Sequence, residues 1–237
     1  GDTVTVTRGE RLLGLTQYAV RIDPGAVLAA APGVSENVTL LWQDFERLPL
    51  GPAVDEDPAK GDGTDWTATP PADWVVDNSA MPVGGKAEYT GWTFVDKDAW
   101  QAWSGQSRSN FTLASGTVAV ADTDEWDDKS HDPGDFNGIL ETPVIDLATV
   151  TSSAVTIEFD SSFRPEGGGG GAAEGNQTGV VEVTFDDGVT WTNLLTQDGN
   201  TSDGSATNPS VNRHEVLTAT IPAGATTMQV RFGQIGS

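Results

Sequence analysis

The sequence predicts an all-β protein: a two-sheet β-sandwich of the jelly-roll kind, with an extra N-terminal arm that contains a strand. Three observations predict it. Short segments that are rich in β-branched residues, or that alternate apolar and polar side chains, recur along the 237 residues and suit half-buried strands. Stretches dense in Gly, Pro, Asp and Ser separate them and cannot continue a helix. Only two places have helical character, and many strands with few helices bury their faces best by packing sheet on sheet.

In chain order, TVTVT at residues 3–7 alternates and reads as a strand, and RLLGLTQYAVRI after it is too apolar for a free linker. AVLAAA at residues 26–31 is a helix candidate bounded by Pro24 and Pro32. VTLLW at residues 38–42 reads as a strand and residues 50–73 as a loop. Residues 97–103 suit a helical turn, which would put Trp100 and Trp103, three apart, on one face. GTVAVA from Gly116, AVTIEFDSSF from Ala154, GVVEVTF from Gly179 and TMQVRF from Thr227 read as strands, and residues 167–175 and 198–212 as loops. Near Thr184, TFDDGVTW fits a hairpin turn in which Asp186 accepts from turn amides, Gly188 takes a positive φ and Trp191 packs back across the hairpin. The chain thus divides into an arm at residues 1–40 and a sandwich at residues 41–237.

Composition narrows the function classes. An apolar content of 37% is enough to bury a core in one large domain or two small ones. A net charge of −23 and a pI near 4.1 repel phosphate backbones and anionic membranes, so neither nucleic acid nor membrane insertion is expected. Such a charge suits salty or calcium-rich surroundings, where counterions screen self-repulsion. The absence of cysteine removes disulfides and thiolate chemistry. No run approaches the roughly 20 apolar residues of a membrane span. Without a signal-peptide pattern, an exported chain would be a mature form or an excised fragment. The sequons at Asn37, Asn110, Asn176 and Asn200 carry meaning only on a eukaryotic secretory route.

The stretch that most suggests a function is residues 91–128, where Trp92, Trp100, Trp103 and Trp126 are interleaved with Asp96, Asp98, Asp122, Asp124, Glu125, Asp127 and Asp128. Clustered carboxylates hold a hard cation such as Ca²⁺, and flat π faces stack on the apolar faces of sugars. DTDEWDD at residues 122–128 offers five acids in seven residues, but lacks the central glycine and terminal glutamate of an EF-hand loop. The plain alternative is a solvated acidic loop, with the tryptophans packed onto the sandwich. Trp66, Trp74 and Trp191 sit beside turn or strand signals and read as core or loop anchors. Arg164 reads as a partner for nearby carboxylates.

Catalytic constellations are sparse. His131 and His214 are far apart and in polar contexts, which gives no support to paired-histidine metal chemistry. No G-x-S-x-G elbow marks a poised serine. The glycine run at residues 167–171 lacks the Gly-Lys-Ser/Thr and the helix of a phosphate loop. Glycoside hydrolysis needs only two carboxylates, and 35 acidic residues make any chosen pair uninformative. A carboxylate-based polysaccharide hydrolase or lyase is a minor alternative.

A series of motifs carries a resemblance: DFERLPLGP from Asp44, DWTATPPADWVVDNSAMP from Asp65, GWTFVDKDAW from Gly91, TVAVADTDEWDD from Thr117, FNGILETPVIDL from Phe136, FDSSFRPE from Phe159 and PAGATTMQVRFG from Pro222. The series resembles the jelly-roll modules, akin to MAM-like and choice-of-anchor J adhesin sandwiches, found beside calcineurin-like metallophosphoesterases and in exported bacterial proteins. It covers residues 41–233. The resemblance implies a structural Ca²⁺ held by Glu46, Asp122, Asp124 and Asp160, with Asp44 and Asp96 as further candidates. Such modules continue past the RFG strand into a closing strand, which would be missing here. The N-terminal residues 1–39 lie outside the resemblance, and an added strand from this arm, or from a neighbour's, could fill that gap.

The function expected is a non-catalytic binding or adhesion module, secreted or at the cell surface. It would be stabilised by Ca²⁺ and attach to a carbohydrate or cell-surface ligand through Trp92, Trp100, Trp103 and Trp126. The first alternative is a subunit of an extracellular filament or array, self-assembled by strand exchange.

Overall fold

Residues 27–30, 37–106, 108–113, 115–164, 177–198 and 211–236 are described by the structure, a computed structural model. The strands of the first half are β1 (Val27–Ala30), β2 (Asn37–Thr39), β3 (Trp66–Thr67), β4 (Val75–Asp77), β5 (Thr93–Asp96) and β6 (Thr117–Val120). Those of the second are β7 (Asn137–Glu141), β8 (Ile145–Asp146), β9 (Ala154–Phe163), β10 (Thr178–Thr184), β11 (Thr192–Asp198), β12 (Val211–Thr220) and β13 (Thr227–Ile235). Two short helices, α1 (Lys97–Trp103) and α2 (Thr123–Asp127), flank β6 in the chain.

The strands pair antiparallel in three sheets, and the protein is an all-β sandwich. One sheet runs β12-β9-β1-β2, the second β11-β10-β13-β7-β4 with β8 on the start of β13, and the third β3-β5-β6. Period-two alternation decides which side chains point inward. β9 buries Val155, Ile157, Phe159 and Phe163, β10 buries Val181 and Val183, and β13 buries Met228, Val230 and Phe232. Phe159 meets Phe232 edge to face with ring centroids 5.5 Å apart, which joins the first two sheets through one core.

The third sheet is enclosed. Thr93, Phe94 and Val95 of β5 and all of β6 are buried, and Phe45 closes over them, 5.2 Å from Phe94 and 5.8 Å from Trp74. Phe45 holds φ at +60°, a region bulky side chains avoid. Its amide donates to Gln43 Oε1 at 2.7 Å, and burial of its ring offsets the backbone strain.

The expected strands in the second half coincide with β9, β10 and β13, and the helical turn coincides with α1. The expected hairpin after β10 is present: Asp186 accepts from the Thr190 amide at 2.8 Å and from both neighbouring threonine hydroxyls, and Gly188 has φ +84°. The helix expected at residues 26–31 is instead strand β1, paired with β2 and with β9. A segment confined between two prolines is too short for an independent helix, whereas the edge of β9 offers it a ladder. The expected loop at residues 198–212 gives way to β12 at Val211, and DTDEWDD is a short helix rather than a solvated loop. The strand expected at residues 3–7 lies outside the described residues.

Candidate functional site

The acid and tryptophan stretch folds into an internal charge network. Asp96 caps α1 by accepting from the Ala99 amide at 2.9 Å, and Asp122 caps α2 through the Glu125 amide at 3.3 Å. The acids gather there because helix starts present unpaired N–H groups. Between the two helices lies Arg108, on the turn Arg108–Asn110, with no exposure to solvent. Its guanidinium donates to the Trp100 carbonyl, lies 2.9 Å from Asp122 Oδ2 and 3.0 Å from Glu125 Oε1, and stands 4.9 Å over the Trp100 ring. The Trp100 indole N–H adds a third donor to Asp122. Lys86 bridges Glu125 and Glu56, with Asp128 at 3.6 Å on its solvent side.

All four tryptophans expected to bind a ligand are inside: Trp92, Trp100 and Trp126 are fully buried and Trp103 nearly so. Trp92 donates to the Gly138 carbonyl and Trp126 to that of Gly84, while Trp126 packs edge-on against Phe136 and lies 4.1 Å from the His131 ring. The expectation of sugar stacking on these rings is therefore corrected. Their apolar area is taken up by the core, where large aromatics gain most.

The six residues implied as calcium ligands do not converge. Asp122 is neutralised by Arg108, Asp124 accepts from Gln106, and Asp160 lies on the four-stranded sheet, where it faces His214 of the neighbouring strand. Asp44 accepts from the Glu46 amide, Glu46 accepts from the Thr117 amide at 3.3 Å, and Asp96 is committed to the α1 cap. Among the described residues, no group of three or more His, Asp or Glu side chains is arranged to hold a metal ion. These residues do not fit a single Ca²⁺ site, which needs six to eight oxygens around one point.

The network has a pH signature. Burial pushes the Glu125 carboxyl up, but the charge of Arg108 and the hydrogen bond and charge of Lys86 pull it below the ordinary value. For Glu56 burial wins over Lys86, and the neighbouring Glu125 adds to it, so its carboxyl is raised. A raised carboxyl binds its proton first in the folded state, so acidification from neutrality toward the ordinary carboxyl range stabilises through Glu56. Below that range the contribution of Glu125 is lost as pH falls through its depressed value. Thermal midpoints followed against pH should rise slightly on the acid side of neutral and then fall. Burial also raises the Asp127 carboxyl, so Glu56→Gln should reduce the rise rather than remove it, and a midpoint that only declines from pH 7 would contradict this assignment.

A second constellation was not legible in the sequence. On the outward face of the six-stranded sheet, Asn193, Glu182, Arg231, Glu141 and Val75 stand opposite one another from β11 to β4 and form one cross-strand row. Arg231 Nε donates to Glu182 Oε2 at 2.7 Å, and its guanidinium lies 4.2 Å from the ring of Trp191. The row beside it is apolar: Val180, Gly233 and Ile139, with Val180 and Ile139 leaning over the glycine so closely that a Cβ there would meet them at 2.8 and 2.9 Å. Alternation alone places Glu182 and Arg231 outward. Their pairing depends on register between strands almost fifty residues apart, which no local pattern encodes.

Comparison with known proteins finds no matching family model, no matching curated protein and no matching solved structure.

Proposed function

We propose that this chain is a non-catalytic binding module that works outside the cell and takes a neutral carbohydrate on the outward face of its six-stranded sheet. The observation that supports it is the polar row Asn193–Glu182–Arg231–Glu141, lying beside the apolar row of Val180 and Ile139 and next to Trp191. A pyranose has the same division, an apolar face and a rim of hydroxyls that both donate and accept. Arg and Asn supply donors while Glu and Asn supply acceptors. A charge of −23 disfavours anionic glycans and favours neutral ones.

The test is tryptophan fluorescence and affinity electrophoresis against neutral and acidic polysaccharides. Binding to a neutral glycan should weaken about tenfold or more in Arg231→Ala, because a hydrogen bond from a charged group is worth roughly 1.5–3 kcal/mol. Failure to bind any neutral glycan, or binding untouched by Arg231→Ala and Trp191→Ala, would overturn the reading.

A second reading, an extracellular assembly subunit joined by strand exchange, is favoured by one observation. The four-residue β1 meets the ten-residue β9 over only two register pairs, a short graft of the kind that can pass between copies. Particles of high mass in the absence of any glycan would support it.

A further inference from the structure

The outward face of the four-stranded sheet holds a cluster outside the surfaces described above. Register places His214 of β12 directly opposite Asp160 of β9, and Glu158 lies two residues along β9 on the same face. His214 Nδ1 is 2.9 Å from Asp160 Oδ1. A carboxylate can only accept, so Nδ1 carries the hydrogen and the lone pair of the neutral ring is on Nε2. That nitrogen stands 3.9 Å from Glu158 Oε2, too far for a hydrogen bond. Two acceptors facing each other draw a positive species between them, either a proton on Nε2 or a metal ion.

The spacing suits a metal ion. Imidazole nitrogen and carboxylate oxygen each bind Zn²⁺ at about 2.0–2.2 Å, and in tetrahedral geometry two such ligand atoms stand roughly 3.4 Å apart, so the 3.9 Å found here closes onto an ion with a small rotation of the Glu158 carboxylate. A metal-binding histidine commonly donates its other N–H to a carboxylate, which fixes the tautomer and strengthens the ligand. Asp160 fills that role and is itself buried, while the His214 side chain is 43% exposed and leaves the ion open to water.

We propose that Nε2 of His214 and the Glu158 carboxylate bind a borderline divalent cation, typified by Zn²⁺. Asp160 positions the imidazole and water completes the coordination. Asp160, implied by the resemblance as a calcium ligand, acts here through its hydrogen bond.

The test uses the full chain, freed of metal with EDTA and titrated with ZnCl₂ while imidazole carbon-bound proton signals are followed by NMR. His131 and His214 are the two histidines, and His131, with Nδ1 on the Asp132 carbonyl, is the internal control. The His214 signals should shift saturably at one equivalent. Glu158→Gln should weaken the apparent affinity at least tenfold, Asp160→Asn by about 10–100-fold, and His131→Gln should bind as the parent does. Thermal midpoints of the variants identify any loss of folding. The proposal fails if Zn²⁺ leaves His214 unmoved, or if Glu158→Gln binds Zn²⁺ as tightly as the parent.

Discussion

Replacing Arg108 by Met should cost roughly 3–5 kcal/mol of stability at neutral pH, because Asp122 and Glu125 would keep their charges in a buried site without their common partner. For a chain of this size that lowers the unfolding midpoint by on the order of 10 °C. The side chains are close in volume, so the loss reports the charge. Urea unfolding at pH 7 and at acid pH separates the two terms: a deficit that comes from uncompensated charge should shrink in acid, whereas a packing defect would persist. Adding Asp122→Asn and Glu125→Gln to the Met variant should recover much of the loss, since a neutral buried cluster carries no uncompensated ion. A change below about 1 kcal/mol at pH 7 would show that the guanidinium is not what neutralises this network.

Gly85→Ala should cost on the order of 3 kcal/mol, combining a left-handed backbone penalty with displacement of a large buried ring. Gly85 has φ +80°, and a Cβ there would fall 2.1 Å from Trp126 Nε1 and 2.2 Å from its Cδ1. Neither the backbone nor the indole can yield cheaply, because Trp126 is wedged between Phe136 and His131 and tied to the Gly84 carbonyl. Gly224 provides the comparison: its φ is +87°, but nothing lies within 4 Å of the added carbon. Gly224→Ala should show the backbone cost alone, about 1 kcal/mol, with emission unchanged, while Gly85→Ala should shift tryptophan emission to the red. Equal costs at the two sites would show that contact with Trp126 contributes little.

The long alternating segments are legible because each carries its own burial instruction: in β9, β10 and β13 most of the inward residues, at every second position, are apolar, with Ser161 and Gln234 as buried polar exceptions. β12 was hidden because its outward and inward positions are both polar in part, with Glu215 buried and hydrogen-bonded to Gln197 rather than replaced by an apolar residue. The helix α2 was hidden by composition, since a run of acids looks solvated until the amides that Asp122 caps and the buried Arg108 are known. Aromatic residues beside acids satisfy a ligand site and a core equally well, so the four tryptophans by themselves do not decide between the two. What separates the two is Arg108, 14 residues before Asp122 and well beyond the reach of a helical turn, and nothing local marks it as the neutralising ion.

The placement of β13 has a consequence for how the protein assembles over time. Among the strands of its sheet it lies latest in the sequence, yet it occupies the middle, with β10 on one side and β7 on the other. Until residues 227–235 emerge from the ribosome, β4 with β7 and β10 with β11 are two separate ribbons, each with an unpaired edge where β13 belongs. Nascent chains halted before that point would present two sticky edges to one another and to their neighbours, so chaperone dependence and early aggregation should concentrate in the interval before β13 is delivered.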